Sequence, residues 1–327
     1  MAKTLVIFSL ILLLALAVSS QSVERPAMRA ENVHAANGLK LLESGEYAKA
    51  GAEFDSVLKQ EPDNVQAIYL RGMCKFMLRE MKDAQADFER VLKLSPPKSP
   101  GIEKVYANLG NTYYFHRELD KAQASFEKAL AINPGHLAAY AGLGNVLSDK
   151  KDFNGALTAF DKALTAPKHP SQAYILIPSY IGRGDIYFKQ NKLDLALADF
   201  DSVLELAPNL PASSLERGIV YALMGRWTLA LTDIRNSLDL LAAPRPDIGK
   251  VSSFPGTIDR VVADLDEYIA QNSTNAKAWA VRGLIRLLRN DRNGAKDDFA
   301  KSFQLDPVLK AEIEPDINAI IKTQTNQ

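Results

Sequence analysis

Small and apolar positions return along this chain in one fixed order. A Gly is followed by Ala after twelve residues, Phe after four more and Pro after a further eight: Gly38, Ala50, Phe54 and Pro62 first, then Gly72, Ala84, Phe88 and Pro96, then Gly110, Ala122, Phe126 and Pro134. Gly144, Ala156 and Phe160 follow with Pro167 one place early, Gly184, Ala196, Phe200 and Pro208 restore the spacing, and Gly218 with Ala230 carries Ile234 in place of Phe. Gly283, Ala295, Phe299 and Pro307 complete a seventh copy. A period of 34 residues predicts one helical hairpin per copy, stacked into a solenoid. The small residues let two helices approach closely. The aromatic ring fills the space between neighbouring hairpins, a burial worth about 1.5–3 kcal/mol. Pro, lacking an amide hydrogen, ends the second helix. Ser44-Gly45-Glu46 and Met224-Gly225-Arg226 fall where a first helix must stop.

Gly-to-Gly intervals locate the interruptions. Gly72 to Gly110 is 38 residues, around Pro96, Pro97 and Pro100, and Gly144 to Gly184 is 40, with Pro167 and Pro170 inside. Both insertions fall between hairpins, where a solenoid tolerates extra chain. The long interval from Gly218 to Gly283 contains Ala263-Asp264-Leu265-Asp266, which aligns with Ala86-Asp87-Phe88-Glu89. Residues 257–271 therefore read as a second helix, whose first helix is broken by Pro244, Pro246 and Pro255. Beyond Pro307, residues 309–323 read as a terminal helix interrupted near Pro315, covering the exposed end of the stack.

One correlation runs through the copies. Arg71, Arg183, Arg217 and Arg282 stand just before the Gly, and the same four copies carry Asp87, Asp199, Asp233 and Asp298 just before the ring or Ile of the second helix. Copies with Asn37, Leu109 or Leu143 in place of the Arg carry Glu53, Ser125 and Ala159. A planar guanidinium suits a carboxylate in a confined place, so each Arg–Asp pair is expected to join the two helices of its hairpin. A row of Arg for anionic ligands is the alternative, against which the matching Asp weighs. Asp264 has Ile248 where its Arg would stand, and is expected to be exposed or re-paired.

With Tyr187, Tyr221 and Trp279 added, the phrase resembles the tetratricopeptide repeat, whose pattern is Trp-x2-Leu-Gly-x2-Tyr, then Ala-x3-Phe, then Pro. The resemblance covers roughly residues 31 to 308. It implies an all-α fold, a right-handed α-solenoid of stacked helix-turn-helix hairpins. It also implies a concave wall of first helices, on which a ligand meets the second, fifth, ninth and twelfth positions of each copy. The partner-binding candidates on that wall are Tyr69, Met73, Phe76, Asn111, Tyr114, Asn145, Asp185 and Phe188. Amide side chains both donate and accept, which suits an extended peptide backbone, and aromatic residues beside them grip ligand side chains. The family's two-carboxylate clamp is not matched. Lys104 and Asn111 fit parts of it, whereas Ala138, Ala141, Pro178 and Gly182 do not, so a free chain terminus is not the expected ligand.

Charge and composition narrow the class. The chain has 39 basic and 39 acidic side chains, which argues against a nucleic-acid binder with its clustered basic surface. Met1-Ala2-Lys3, the apolar run from Leu5 to Val18 and the small Ser19 and Ser20 read as a secretory signal. The run is short for a membrane-spanning helix. An uncleaved signal anchor is the alternative, and the only route to membrane contact. Cys74, the single cysteine, permits no internal disulfide and reads as a buried small side chain rather than a reactive thiol. Asn272-Ser273-Thr274 is a glycosylation sequon, relevant only in a eukaryote. His34, His116, His136 and His169 are scattered, without metal-ligand spacing. Neither Gly-x-Ser-x-Gly nor a phosphate-cradling loop occurs. No catalytic residue, metal or cofactor is expected.

The chain thus divides into a signal peptide (1–20), a linker (21–30), six repeats (31–244) with insertions near 97–102 and 168–175, a degenerate half repeat (245–275), a seventh repeat (276–308) and a C-terminal capping helix and tail (309–327). The expected function is that of a non-enzymatic scaffold, exported to a periplasmic or extracellular location, that binds a protein or extended peptide in the concave groove. A periplasmic chaperone or assembly factor, and an accessory subunit of an envelope or polysaccharide-synthesis enzyme, are the alternatives.

Overall fold

A computed structural model describes residues 33–167, 169, 172–242 and 257–325. The expected signal peptide and linker, the three prolines Pro244, Pro246 and Pro255, and the first part of the half repeat lie outside the described residues. The described residues form sixteen helices and no strand, in two compact units that divide between Arg183 and Gly184. The N-terminal unit contains α1 (Val33–Glu43), α2 (Tyr47–Gln60), α3 (Val65–Met77), α4 (Met81–Leu94), α5 (Ile102–Phe115), α6 (Leu119–Ile132), α7 (Leu137–Asp149), α8 (Phe153–Ala163) and most of α9 (Ala173–Lys189). The C-terminal unit takes the last turn of α9 and then α10 (Leu193–Leu206), α11 (Pro211–Leu223), α12 (Trp227–Ala242), α13 (Thr257–Gln271), α14 (Ala276–Leu288), α15 (Arg292–Leu305) and α16 (Pro307–Thr325). Each unit is an all-α solenoid of helical hairpins.

In the N-terminal unit each first helix packs on its own second helix, and each second helix on the next first helix. The Phe of the second helix sits at the centre of both contacts. Phe54, Phe88, Phe126 and Phe160 are fully buried, and each lies against the Gly of its own first helix, closely enough that a β-carbon on Gly110 would stand 2.8 Å from the Phe126 ring. Phe126 and Phe160 are gripped from the other side as well, because Gly142 and Gly182 of the following first helices leave no room for a β-carbon either. Glycine is present here for lack of volume rather than for freedom of backbone.

Every hairpin turn places its residue in the left-handed region at one equivalent position: Gly45, Arg79, Arg117, Lys151, Asn191, Gly225 and Asn290, with φ between 57° and 79°. Residue and follower close the first helix by donating back into it, as Lys151 does to the Ser148 carbonyl (3.0 Å) and Asp152 to that of Leu147 (2.9 Å). Side-chain caps then start the next elements. Asn64 accepts from the Ala67 amide and Asp152 from that of Gly155.

The helix α9 begins at Ala173, inside the second insertion (168–175). One expectation at the end of the array is corrected: the terminal helix is not interrupted at Pro315 but runs through it, from Pro307 to Thr325. Leu309, Ile313, Ile317 and Ile320 form a buried stripe along its length, and that packing outweighs the one ladder bond that an exposed Pro315 forgoes.

Cys74 is fully buried beside Phe54 and Leu42. Burial pushes its thiol up from 9.0 to about 12. Because the folded value is the higher one, the stability this thiol contributes is complete below pH 9.0 and is lost as pH climbs towards about 12. Iodoacetamide at pH 8 should therefore leave the folded chain unlabelled and label the chain in urea; equal labelling would place the thiol at the surface. A second expectation follows from the glycine contacts. Gly142→Ala should cost about 1–3 kcal/mol through overpacking. Gly51→Ala, whose new carbon meets Cys74 at an ordinary 3.7 Å, should gain about 0.5–1 kcal/mol from reduced backbone entropy, both read as shifts in urea midpoint at constant slope.

Candidate functional site

The first helices of the N-terminal unit present a wall of uncharged polar and apolar side chains. Tyr69 and Met73 on α3, Asn111 on α5 and Asn145 on α7 are half-buried. Among the described residues the Asn111 and Asn145 amides have no hydrogen-bond partner. Asn108, which the sequence pattern did not single out, donates to the Tyr69 hydroxyl (3.0 Å) and to the Met73 sulfur (3.0 Å), tying two candidates together across adjacent helices. Burial pushes the Tyr69 hydroxyl up to about 12, with the Asn108 bond partly opposing the shift, so it stays a neutral donor.

The aromatic candidates at the twelfth position are corrected. Phe76, Tyr114 and Phe188 are buried, at 4%, 4% and 8% exposure, and do not line an open surface. Phe76 packs into the core with Ile102, Val105 and Leu109 of the next first helix. Tyr114 donates to Asp149 (2.8 Å), which also receives a bond from Arg117. Burial first, and the Asp149 charge second, raise the Tyr114 pKa well above its ordinary value. The reason lies in the stacking: successive first helices approach at that position, so its side chains fill the seam.

In the C-terminal unit the equivalent wall is covered by the chain itself. The helix α13 packs on α11 and α14, and Tyr268 lies tilted against Phe188, ring centroids 5.1 Å apart, and donates to Asn191 (2.7 Å). Lys189 reaches Asp264 and Glu267, each at 3.4 Å. Asp264 is therefore re-paired, with a lysine in place of its missing arginine. Asp185 is half-buried and, with Phe188, Lys189, Glu216, Ile219 and Asp264, lines a cavity of about 20 Å³ beneath α13. Eleven of the thirteen residues of α11 are buried, because α12 covers the side carrying Arg217 and Gly218 and α13 the opposite side, carrying Glu216 and Ile219. Relative to α14, however, α13 stands where any second helix stands: Arg282 bonds Asp266 (2.5 Å) sixteen residues earlier, as Arg71 bonds Asp55 and Arg217 bonds Asp201.

Those bonds extend the expected Arg–Asp pairs. Arg71, Arg217 and Arg282 each donate two bonds to the Asp of their own hairpin, Asp87, Asp233 and Asp298, at 2.5–2.9 Å. The remaining nitrogen donates to an Asp of the preceding second helix, Asp55, Asp201 or Asp266. Arg183 makes the corresponding bond to Asp161 (2.7 Å), and Asp199 is buried at 3% exposure. One guanidinium thus joins three helices. Aromatic rings lie beside the cations, with Arg282 4.7 Å from the Trp279 centroid and Arg217 5.6 Å from that of Tyr221. Lys75 and Arg286 add a second cation to Asp87 and Asp298. The signal for the third helix was present in the sequence as Asp, Arg and Asp at intervals of sixteen, in 55–71–87, 201–217–233 and 266–282–298. A cleft of about 830 Å³ between α10 and α12 is lined by Arg217, Asp201 and Asp233, whose charges are already spent on one another.

A stack of helical hairpins with one open wall that is poor in charge is a protein-interaction scaffold of the helical-repeat class. Sequence profiles of the tetratricopeptide repeat match residues 36–99, 103–136, 137–169 and 177–210, and the chain belongs to the tetratricopeptide repeat family. A 62-residue stretch is 34% identical to FK506-binding protein 59 of Drosophila melanogaster, spanning 19% of this chain and 14% of that protein. Among solved structures, a tetratricopeptide repeat protein from Parabacteroides merdae matches with a TM-score of 0.52 at 16% identity, over 88% of this chain and 96% of that one. The type IV pilus biogenesis factor PilW matches with a TM-score of 0.51 at 19% identity, over 66% and 92%. These likenesses establish the fold.

Removing one cation tests the three-helix link. Arg217→Ala leaves Asp233, 7% exposed, without its two bonds, and should cost about 2–4 kcal/mol, somewhat below a fully buried pair because the arginine is part-exposed. Arg217→Lys should recover less than half of that, since an ammonium cannot span both carboxylates in the same plane. A urea midpoint unchanged in Arg217→Ala would show the link to be screened by solvent.

Proposed function

We propose that this chain is an exported, non-enzymatic scaffold that holds an extended segment of a partner protein on the open first-helix wall of its N-terminal unit. The observation that carries this reading is the pair of amides, Asn111 and Asn145, at the same repeat position on adjacent helices α5 and α7 and bonded to nothing else among the described residues. Packed helices lie about 8–10 Å apart and an extended chain rises about 3.3 Å per residue, so the two amides match backbone groups about three residues apart. Each can donate to a carbonyl and accept from an amide, which is what an unpaired peptide backbone requires. Tyr69 and Met73, held by Asn108, supply apolar surface beside them. Charge on this part of the wall is limited: Lys104 is exposed, and Asp149 is neutralised by Arg117. That favours an internal peptide segment over a terminal carboxylate. Export to the periplasm or the exterior rests on the residues of the signal segment, and membrane contact follows only if that segment is retained. The balanced charge argues against a nucleic-acid partner.

The test is an affinity capture from the native envelope fraction with the mature chain and its Asn111→Ala, Asn145→Ala double variant side by side. One stoichiometric partner is expected, with affinity lowered at least about tenfold in the variant, a loss of roughly 1.4 kcal/mol, and an unchanged melting temperature. Undiminished capture of that partner would discard the wall as the site. A broad set of clients insensitive to the two substitutions would establish the chaperone alternative instead.

A further inference from the structure

Successive second helices leave a groove between them, and most copies fill it with their own side chains. Four places before the Gly stand Ile68, Tyr106, Tyr140, Tyr180 and Trp279 in the second to fifth and the seventh copies, but Ser214 in the sixth. Eighteen places after the Gly the same copies carry Arg90, Lys128, Lys162, Ser202 and Lys301, and the sixth carries Asn236. In the second copy the Arg90 guanidinium bridges the groove to the Pro62 carbonyl (2.9 Å) and to Asp63 (3.0 Å). In the third the Lys128 ammonium lies 5.6 Å from the Tyr106 centroid. In the seventh the Trp279 ring lies beside Arg282 (4.7 Å) and its indole nitrogen donates to the Ser273 carbonyl (3.0 Å). Of these six copies only the sixth has a short side chain at both places. Its groove is the cleft of about 830 Å³ between α10 and α12, which Ser214 and Asn236 line.

The rest of that cleft keeps what Trp279 uses in the seventh copy. Arg217 stands in the place of Arg282 and makes the same bonds, to Asp233 and Asp201 where Arg282 bonds Asp298 and Asp266. Arg282 receives the indole while holding both carboxylates, so the ion chain leaves the guanidinium able to take a ring. Pro208 occupies the place of Ser273, ten residues before the Gly. No side chain donates to the Pro208 carbonyl among the described residues. Leu204 and Leu240 add apolar surface. The volume lies in the range of ligand sites, about 300–1,000 Å³, and exceeds one side chain, which leaves room for the residues on either side of a ring. Of the four charged side chains that line it, three are carboxylates, Asp201, Glu205 and Asp233. That surplus favours basic neighbours.

We propose that this cleft is a docking pocket for a tryptophan of a partner protein, flanked there by basic residues. The indole takes the volume that the sixth copy leaves unfilled, with its ring against Arg217 and its N–H donated to the Pro208 carbonyl. The partner thereby supplies the ring that Tyr106, Tyr140, Tyr180 and Trp279 supply to their own copies. This pocket lies in the C-terminal unit and does not rest on the peptide wall of the N-terminal unit.

Two peptides titrated calorimetrically into the full chain provide the test: Gly-Lys-Lys-Trp-Lys-Lys-Gly, and the same peptide with Ala for Trp. The Trp peptide should saturate and bind at least about tenfold more tightly, the equivalent of ~1.4 kcal/mol. Deuterium uptake should fall in residues 201–217 on binding. Ser214→Trp restores the repeat's own ring, and Asn236→Arg closes the groove as Arg90 does. Each should reduce the Trp-over-Ala preference below about twofold, a ratio that cancels the added charge of the arginine. Should Ser214→Trp fail to fold, the exposed Asn236→Arg decides. The Asn111→Ala, Asn145→Ala chain should keep the full preference, which separates failure here from failure of the N-terminal wall. Equal binding of the two peptides, no saturable binding, or a preference undiminished by Asn236→Arg would each overturn the proposal. N-acetyltryptophanamide binding as tightly as the Trp peptide would assign the cleft to a small aromatic molecule and overturn the protein partner.

Discussion

A phenylalanine ring pressed against a residue without a β-carbon sets the distance between the helices of nearly every hairpin, and the remaining structure is arranged around that distance. The rings of Phe54, Phe88, Phe126, Phe160 and Phe200 are buried almost without exposure and lie on Gly38, Gly72, Gly110, Gly144 and Gly184. Close approach brings the helices near enough for an arginine on one to bond carboxylates on two others. It also sets the seam between neighbouring hairpins, where Phe76 and Tyr114 are enclosed. Interiors pack at crystal-like density, so a single methyl group at these glycines changes the distance for the whole hairpin. Where Ile234 replaces the ring, Gly218 meets its branched carbon and the contact is kept with a different shape.

The polar counterpart of that contact is the run of carboxylate, guanidinium and carboxylate through three successive helices. An ion pair buried in this way adds little net stability over a well-packed apolar contact, yet leaving one partner alone is costly. Its effect is on register: each arginine fits only when its own hairpin and the preceding second helix are both correctly placed. Copies lacking the arginine use other means. His34 bonds Glu53 at 2.6 Å in the first hairpin, and the Ser125 hydroxyl turns back to the Lys121 carbonyl in the third. On the first-helix wall of the N-terminal unit Asn108 ties Tyr69 and Met73 together, while the Asn111 and Asn145 amides remain available.

The helix α13 packs on two surfaces at once. Toward α14, α13 keeps the place of a second helix, down to the Arg282–Asp266 bond. Toward α11 it lies on the side away from α12, over the wall. Its apolar stripe meets Phe188 and lies over the side of α11 that carries Ile219, because an amphipathic helix must bury its stripe against whatever surface is offered. The two halves of the chain, written in one repeat code, therefore present different surfaces.

The sequence by itself determined the elements and most of their pairing. A period of 34 residues, glycine opposite phenylalanine, and the matched arginine and aspartate positions are local or near-neighbour rules, satisfied within a few tens of residues. For the same reason the intervals of sixteen already contained the third helix of each ion chain. Only the tertiary structure decided which side chains of the wall are free. Phe76, Tyr114, Phe188, Asn111 and Asn145 occupy positions of one repeat code, yet three are enclosed and two remain half-open, since exposure depends on what neighbouring helices bring to the spot. The placement of α13, 39 residues from Gly218 at its first residue, depends on a surface assembled from α9, α11 and α14. No repeat rule specifies a contact between a helix and a wall two hairpins back; burial of the apolar stripe does.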